Sequence, residues 1–277
     1  MNLADFLLNL AGLLLWVSWR SAGFAPAAST AVPWMSRPSG SMPARRHWLL
    51  AALVGLLVIR AWFYWRIGME LDWIGSLDLG AIVLPFNSAS LQRMLLYSAL
   101  SFLVVLAVFY LWLLLLSMVN HRVGGALPLQ RVVRQQLGWM ERWPAALKLV
   151  GPWVLVAVLW FAVNPLLVQL GMAAAPQSTT HCWQQGAVLG AGTILAWKYL
   201  VAFVLFLHVL NTYLYLGNHN FWAFINATAH NLLRPLRWLP LRLGRVDLAP
   251  VAGIAVVLLG LELGQRGLTW LFGRLPL

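Results

Sequence analysis

The stretch HNLLRPLRWLPLRLGRVDLAP, residues 230–250, runs without a break into an apolar segment over 249–271. Arg234, Arg237, Arg242 and Arg245 crowd together in it, with Asp247 as the one acid. A basic run against a long apolar helix belongs where a membrane protein meets anionic lipid headgroups. Pro235 and Pro240 break the approach to the helix. Pro250 falls in the first turn of that helix, where a missing N–H costs little. Asp247 is spaced as a helix N-cap, with a side-chain oxygen for the orphan backbone donors.

The rest of the chain agrees with a membrane setting. Of 277 residues, 61% are hydrophobic and 9% charged, against about 25% charged in a soluble domain. The fold class is therefore all-α and polytopic, integral to the membrane. The 17 Trp suit the two interfaces, where indole sits at headgroup depth. A net charge of +12 would suggest nucleic acid in a soluble protein. Here the positives lie in loops, so the partner they indicate is an anionic lipid bilayer, and nothing points directly to nucleic acid. With Cys182 as the single cysteine, no disulfide forms within the chain.

Six segments can span, at about 20 apolar residues each: 3–19, 48–67, 91–119, 147–171, 189–217 and 249–271. Asp5 precedes the first apolar run and Arg20 follows it, the reverse of a signal peptide, so this helix is expected to be retained. Basic residues gather in alternate loops. Arg20, Arg37, Arg45 and Arg46 lie in the Pro-rich segment 20–47, Arg122, Arg131, Arg134, Arg142 and Lys148 in 120–148 against Glu141, and the four Arg in 218–247. The positive-inside rule places those loops in the cytoplasm and both termini outside; Arg266 and Arg274 run against it. The mildly acidic segment 68–90 is read as a short interfacial helix, and 172–188 as an outer loop.

The chain repeats itself. Asn120-His121 recurs as Asn218-His219, and Pro152 as Pro250, at the same offset. Residues 91–172 and 189–277 thus look like two copies of one helix-pair unit, with 1–90 a divergent pair. Their common orientation makes them parallel repeats. Between the helices of each copy lies an amphipathic segment. In 220–237, Phe221, Ile225, Ala229, Leu232 and Leu236 oppose Asn226, His230, Arg234 and Arg237; in 129–142, Val133, Leu137 and Met140 oppose Arg131, Arg134 and Arg142. The spacing predicts interfacial helices, apolar face toward acyl chains.

The opening stretch resembles the signature of the YggT family of small bacterial and plastid membrane proteins. That family carries an Arg-Pro-Leu/Ile-Arg segment, a Pro, and then Asp-Leu-Ser/Ala-Pro before an apolar helix. Here these are Leu233–Arg237, in which Arg234-Pro235-Leu236-Arg237 is the Arg-Pro-Leu-Arg run, then Pro240 and residues 247–250. The resemblance is close over about 220–262 and weaker over 100–172. It implies a bacterial inner (cell) membrane location and links to osmotic tolerance, cell division, nucleoid distribution or cytochrome b6 maturation. The motif residues carried over are Arg234, Pro235, Arg237, Pro240, Asp247 and Pro250.

Ionisable residues inside a bilayer are functional candidates by default. His208, with Asn211 one turn on, and Glu262 lie at roughly 14 and 19 Å from the cytoplasmic ends of their helices at ~1.5 Å per residue. The depths allow them to meet, as a proton or cation relay or as a polar clamp between helices. Arg60, Lys198 and Arg266 are expected to snorkel outward. Gly260-x-x-x-Gly264 with Gly267, and Gly186-x-x-x-Gly190, offer smooth strips for close helix contact, within the chain or between copies. His181-Cys182 lacks further metal ligands, and no phosphate-cradling loop, His-Glu-x-x-His or nucleophile elbow is present. No cofactor or enzymatic activity is expected. Two readings follow: a non-enzymatic scaffold or assembly factor docking lipid or a membrane protein partner through Arg234, Arg237, Arg242 and Arg245, or a solute, ion or osmotic-release pathway using His208 and Glu262.

Overall fold

A computed structural model describes residues 3–22, 42–71, 74–121, 127–214, 219–236, 242–243 and 246–276. Nine α-helices are present among the described residues: α1 (Leu3–Ala22), α2 (Met42–Leu71), α3 (Leu91–Val119), α4 (Pro128–Leu137), α5 (Ala145–Gln169), α6 (Thr179–Ala191), α7 (Trp197–Leu214), α8 (Asn220–Leu232) and α9 (Ala249–Gly273). Six helical runs are long and apolar enough to cross a membrane: Leu3–Ala22, Arg46–Gly68, Leu91–Val119, Ala145–Gln169, Thr179–Leu214 and Ala249–Gly273. The chain is an all-α polytopic membrane protein. Each run falls on one of the six apolar segments read from the sequence. The fifth begins earlier, because α6 and α7 are joined through a 3-10 turn, Gly192–Ala196, without a break. Residues 179–188 are therefore helical and not an outer loop.

The segment 68–90 also differs from its reading. It holds two strands, β1 (Ile74–Asp78) and β2 (Val83–Asn87), paired as a hairpin. Side chains along β2 alternate between exposed and buried, the period of a half-buried strand. Gly80 sits in the turn at φ 87°, a left-handed backbone that glycine adopts without penalty. Its N–H donates to Asp78 Oδ1 at 2.7 Å. The acid that suggested a surface helix is a turn residue.

The chain divides into two compact units. One comprises Met1–Leu77 and Pro85–Leu106, the other Asp78–Leu84 and Ala107–Leu277, so α3 contributes its first half to one and its second half to the other. In the first unit α1 packs along α2. Gly12 lets them close on α3: a Cβ there would stand 2.9 Å from the Phe102 ring.

In the second unit α5 and α6 form the tightest pair. Gly186 lies against the Ala157 backbone, and a Cβ on Gly190 would strike Trp153, so this glycine strip does set a close helix contact within the chain. Trp153 Nε1 donates to Ala187 O at 2.7 Å across it. By contrast, Gly260 and Gly267 have nothing within 4 Å of a Cβ, and Gly264 meets Leu195 at 3.4 Å. The second strip is open over most of its length.

The helix α9 packs on α7 and buries Pro250 and Gly253. Pro250 lies in the first turn, as its spacing requires. The N-cap, however, is Leu248, without a side-chain cap. Asp247 belongs to a short strand pair, in which Arg242 pairs with Asp247 and Leu243 with Val246. Backbone pairing with Arg242 holds Asp247 outside the capping position.

Candidate functional site

The most deeply buried charges lie in the first unit. Arg60, on α2, donates from Nη2 to Asp5 Oδ1 at 2.7 Å, and the two side chains are 1% and 3% exposed. Nη1 donates to Asn9 Oδ1 at 2.7 Å, and Nη2 also to Ser101 Oγ at 3.1 Å. Asn9 in turn donates to Ser101 Oγ at 3.0 Å. The Asp5 carboxylate accepts two phenol O–H groups as well, from Tyr64 at 2.8 Å and Tyr97 at 3.0 Å. Both rings also face the guanidinium, at 5.6 and 5.5 Å.

Why this cluster forms follows from the helices that carry it. Asp5 and Asn9 are four apart, one turn on α1; Arg60 and Tyr64 are four apart on α2; Tyr97 and Ser101 are four apart on α3. Each helix thus presents a polar pair on one face. A charge in hydrocarbon is expensive, so these faces turn inward on one another. Arg60 does not snorkel outward as its position suggested; Asp5 gives it a nearer counter-charge. Its Nε has no hydrogen-bond partner.

Two polar clamps join elements of the second unit. Lys148, on α5 and 6% exposed, donates to Ser117 Oγ and to Glu141 O, each at 2.8 Å. Ser117 donates to Glu141 Oε2 at 2.5 Å, and Arg134 stands 3.6 Å from the same carboxylate. The second clamp is built on Asn120. Its amide donates to Thr228 Oγ1 at 2.8 Å and accepts from Asn231 at 3.1 Å, tying the end of α3 to α8.

These clamps fix the two amphipathic helices. Val133 and Leu137 of α4 pack on Leu113 and Leu114 of α3. Phe224, Ile225 and Ala229 of α8 pack with Leu115, Val201, Val204 and Leu205. Val133, Leu137, Ile225 and Ala229 are buried as the spacing indicated, whereas Phe221 is exposed and Gln130 and Gln136 are buried with the apolar face; the buried faces cover α3 and α7 and not acyl chains. Burial against a protein surface also satisfies Asn120 and Thr228, which lipid could not do. α4 and α8 touch one another. Arg131, Arg142 and Arg234 are exposed on this assembly, and Trp139 is 69% exposed.

The structure does not bring His208 and Glu262 together. His208 Nδ1 lies 2.9 Å from Asn226 Oδ1 of α8, and Glu262 pairs with Arg266 on its own helix at 3.3 Å. An i, i+4 partner one turn away satisfies Glu262 first. Asn211 is half-buried on α7. Lys198 bonds Gln265 Oε1 at 3.1 Å, joining α7 to α9 rather than snorkelling. Arg237, Pro240 and Arg245 lie outside the described residues, as do the side chains of Arg242 and Asp247; Pro235 is exposed inside the 3-10 turn Arg234–Leu236, and α8 ends before it, at Leu232. Among the described residues no group of three His, Cys, Asp or Glu is placed to hold a metal ion. Cys182 is a buried free thiol.

The cluster around Arg60 escaped the sequence reading. Its one available signal was the repeated four-residue spacing of polar pairs on three apolar helices. The chain matches no family model, no curated protein and no solved structure.

Proposed function

We propose that the chain is a non-enzymatic membrane scaffold or assembly factor of the YggT type, seated in a bacterial cell membrane with its basic segments on the cytoplasmic side. The carrying observation is the α4–α8 assembly. Two short helices are locked onto the ends of α3 and α7 by buried polar and apolar contacts. Arg131 on α4, and Arg142 and Arg234 in the turns that follow α4 and α8, remain exposed. A basic face held in place by a folded support is what a docking surface requires, since little ordering cost remains for the partner to offset. By sequence, Arg237, Arg242 and Arg245 extend it. Each Lys or Arg near an anionic surface adds about 1 kcal/mol, so this face also holds the chain to lipid headgroups.

The rival reading, a solute or ion pathway, needs polar side chains in file across the bilayer. The ionisable groups described above within the helices are instead joined in separate local contacts: Asp5 with Arg60, Lys148 with Ser117 and Glu141, His208 with Asn226, Lys198 with Gln265, Glu262 with Arg266. Flux from reconstituted vesicles separates the two readings. The scaffold reading expects the permeability of protein-free vesicles to ions and small osmolytes. Protein-dependent flux that is lost in a His208→Leu/Glu262→Leu variant overturns it.

A further inference from the structure

The end of the α1–α2 pair where α1 finishes and α2 begins carries a cation laid on an aromatic ring. Trp19 and Arg20 stand in the last turn of α1, and Arg46 opens the apolar run of α2. The Arg46 guanidinium lies over the Trp19 ring at 4.8 Å. Trp16 backs Trp19 from the turn before, with ring centroids 4.9 Å apart. Arg46 and His47 are exposed, and Trp48 is 75% exposed. All of them belong to the first unit.

No acid of that unit lies near Arg46. The sequence between Asp5 and Glu70 holds neither Asp nor Glu. At ~1.5 Å per residue, Asp5 is roughly 21 Å along α1 from Trp19, and Glu70 is roughly 36 Å along α2 from Arg46. Asp5 is already paired with Arg60. At a wet boundary, where the Debye length is about 10 Å, charges so far apart do not neutralise one another. The ion pairs among the described residues leave Arg46 out. Stacking holds the guanidinium by its face and leaves its N–H edge, the fork that matches a phosphate group.

The setting decides which anion meets that edge. Trp19 and Arg46 lie at the ends of two runs that span a membrane, Leu3–Ala22 and Arg46–Gly68, so headgroups and water surround them. Indoles belong at headgroup depth, and the anion abundant there is the lipid phosphate. A zwitterionic headgroup brings its own cation to compete with Arg46; a headgroup of net negative charge does not. We propose that this end of the α1–α2 pair is a binding site for an anionic phospholipid, its phosphate held by Arg46 and its glycerol region set against Trp19 and Trp48. The site uses no residue of the α4–α8 face, and the proposal stands without the scaffold reading.

The test uses the full chain in vesicles of mixed phosphatidylglycerol and phosphatidylcholine. A trace of one lipid or the other carries a photoreactive diazirine beside the glycerol, and labelled positions are mapped by mass spectrometry. The phosphatidylglycerol probe is expected to label residues 16–22 and 46–50 more heavily than the phosphatidylcholine probe. In Arg46→Gln that labelling should fall about fivefold, the effect of one arginine at an anionic surface, with labelling of residues 128–142 unchanged. Arg46→Lys keeps the charge and should stay above Arg46→Gln. Equal labelling by the two probes, labelling unmoved in Arg46→Gln, or a fall spread equally over residues 128–142 overturns the proposal. So does a lysine variant no better than the glutamine one, or displacement of the probe by inorganic phosphate, which would mark a site for the free ion.

Discussion

Arg60 and Asp5 are held 2.7 Å apart by two different helices, both side chains shut off from the surroundings. Asn9, Ser101, Tyr64 and Tyr97 add further hydrogen bonds to the pair, and Arg60 Nε makes none. Such a pair is weak evidence for net stability, since desolvating both charges offsets their attraction. It fixes instead which faces of α1, α2 and α3 meet.

Removing one member leaves the other charge buried and unpaired. Arg60→Met is expected to destabilise the first unit by about 3–5 kcal/mol. Asp5→Leu/Arg60→Met removes both charges and is expected to recover most of that loss. Denaturant titration of the detergent-solubilised protein measures both. A double variant no better than the single one contradicts a clamp role.

The two glycine strips make opposite predictions. Gly190→Ala places a methyl into Trp153 and is expected to cost about 1–3 kcal/mol by overpacking. Gly260→Ala meets nothing within 4 Å and leaves the stability of the single chain unchanged or slightly raised, by the ~1 kcal/mol helix preference of Ala. Melting temperatures of the two variants, taken as monomers at high detergent, check the contrast.

Lys148 is the hub between α5, Ser117 and Glu141. Lys148→Met removes two charge-assisted hydrogen bonds and leaves the Glu141 carboxylate with Ser117 and Arg134. The expected loss is about 1.5–3 kcal/mol. It should be felt locally, as faster proteolysis near Gly138–Arg142 with the spanning helices still protected. Cleavage no faster than in the native chain contradicts this role for the lysine.

The spans were legible because an apolar run of sufficient length has few alternatives to a helix in lipid. The short helices α4 and α8 were legible for the same kind of reason, since Val133 and Leu137 recur at helical spacing. Which surface those faces cover was not legible. Acyl chains and α3 are equally apolar, and only the partners of Asn120 distinguish them. The hairpin Ile74–Asn87 was hidden by its charge, with Asp78 read for its sign and not for its turn chemistry. Arg60 was misplaced because its counter-ion lies 55 residues away, and nothing local marks that distance as a contact. His208 and Glu262 show the converse: matched depth on two helices does not fix rotation about the helix axes.

The docking face is tested most directly by purifying the intact chain and an Arg131→Gln/Arg142→Gln/Arg234→Gln variant side by side in mild detergent, and comparing the proteins and anionic lipids retained. These three side chains are exposed on α4, the turn after it and the turn after α8, so the variant should keep the melting temperature of the native protein. The account predicts a specific membrane protein partner on the native chain that is lost from the variant, together with less anionic lipid. The same partner and lipid retained by both would contradict it.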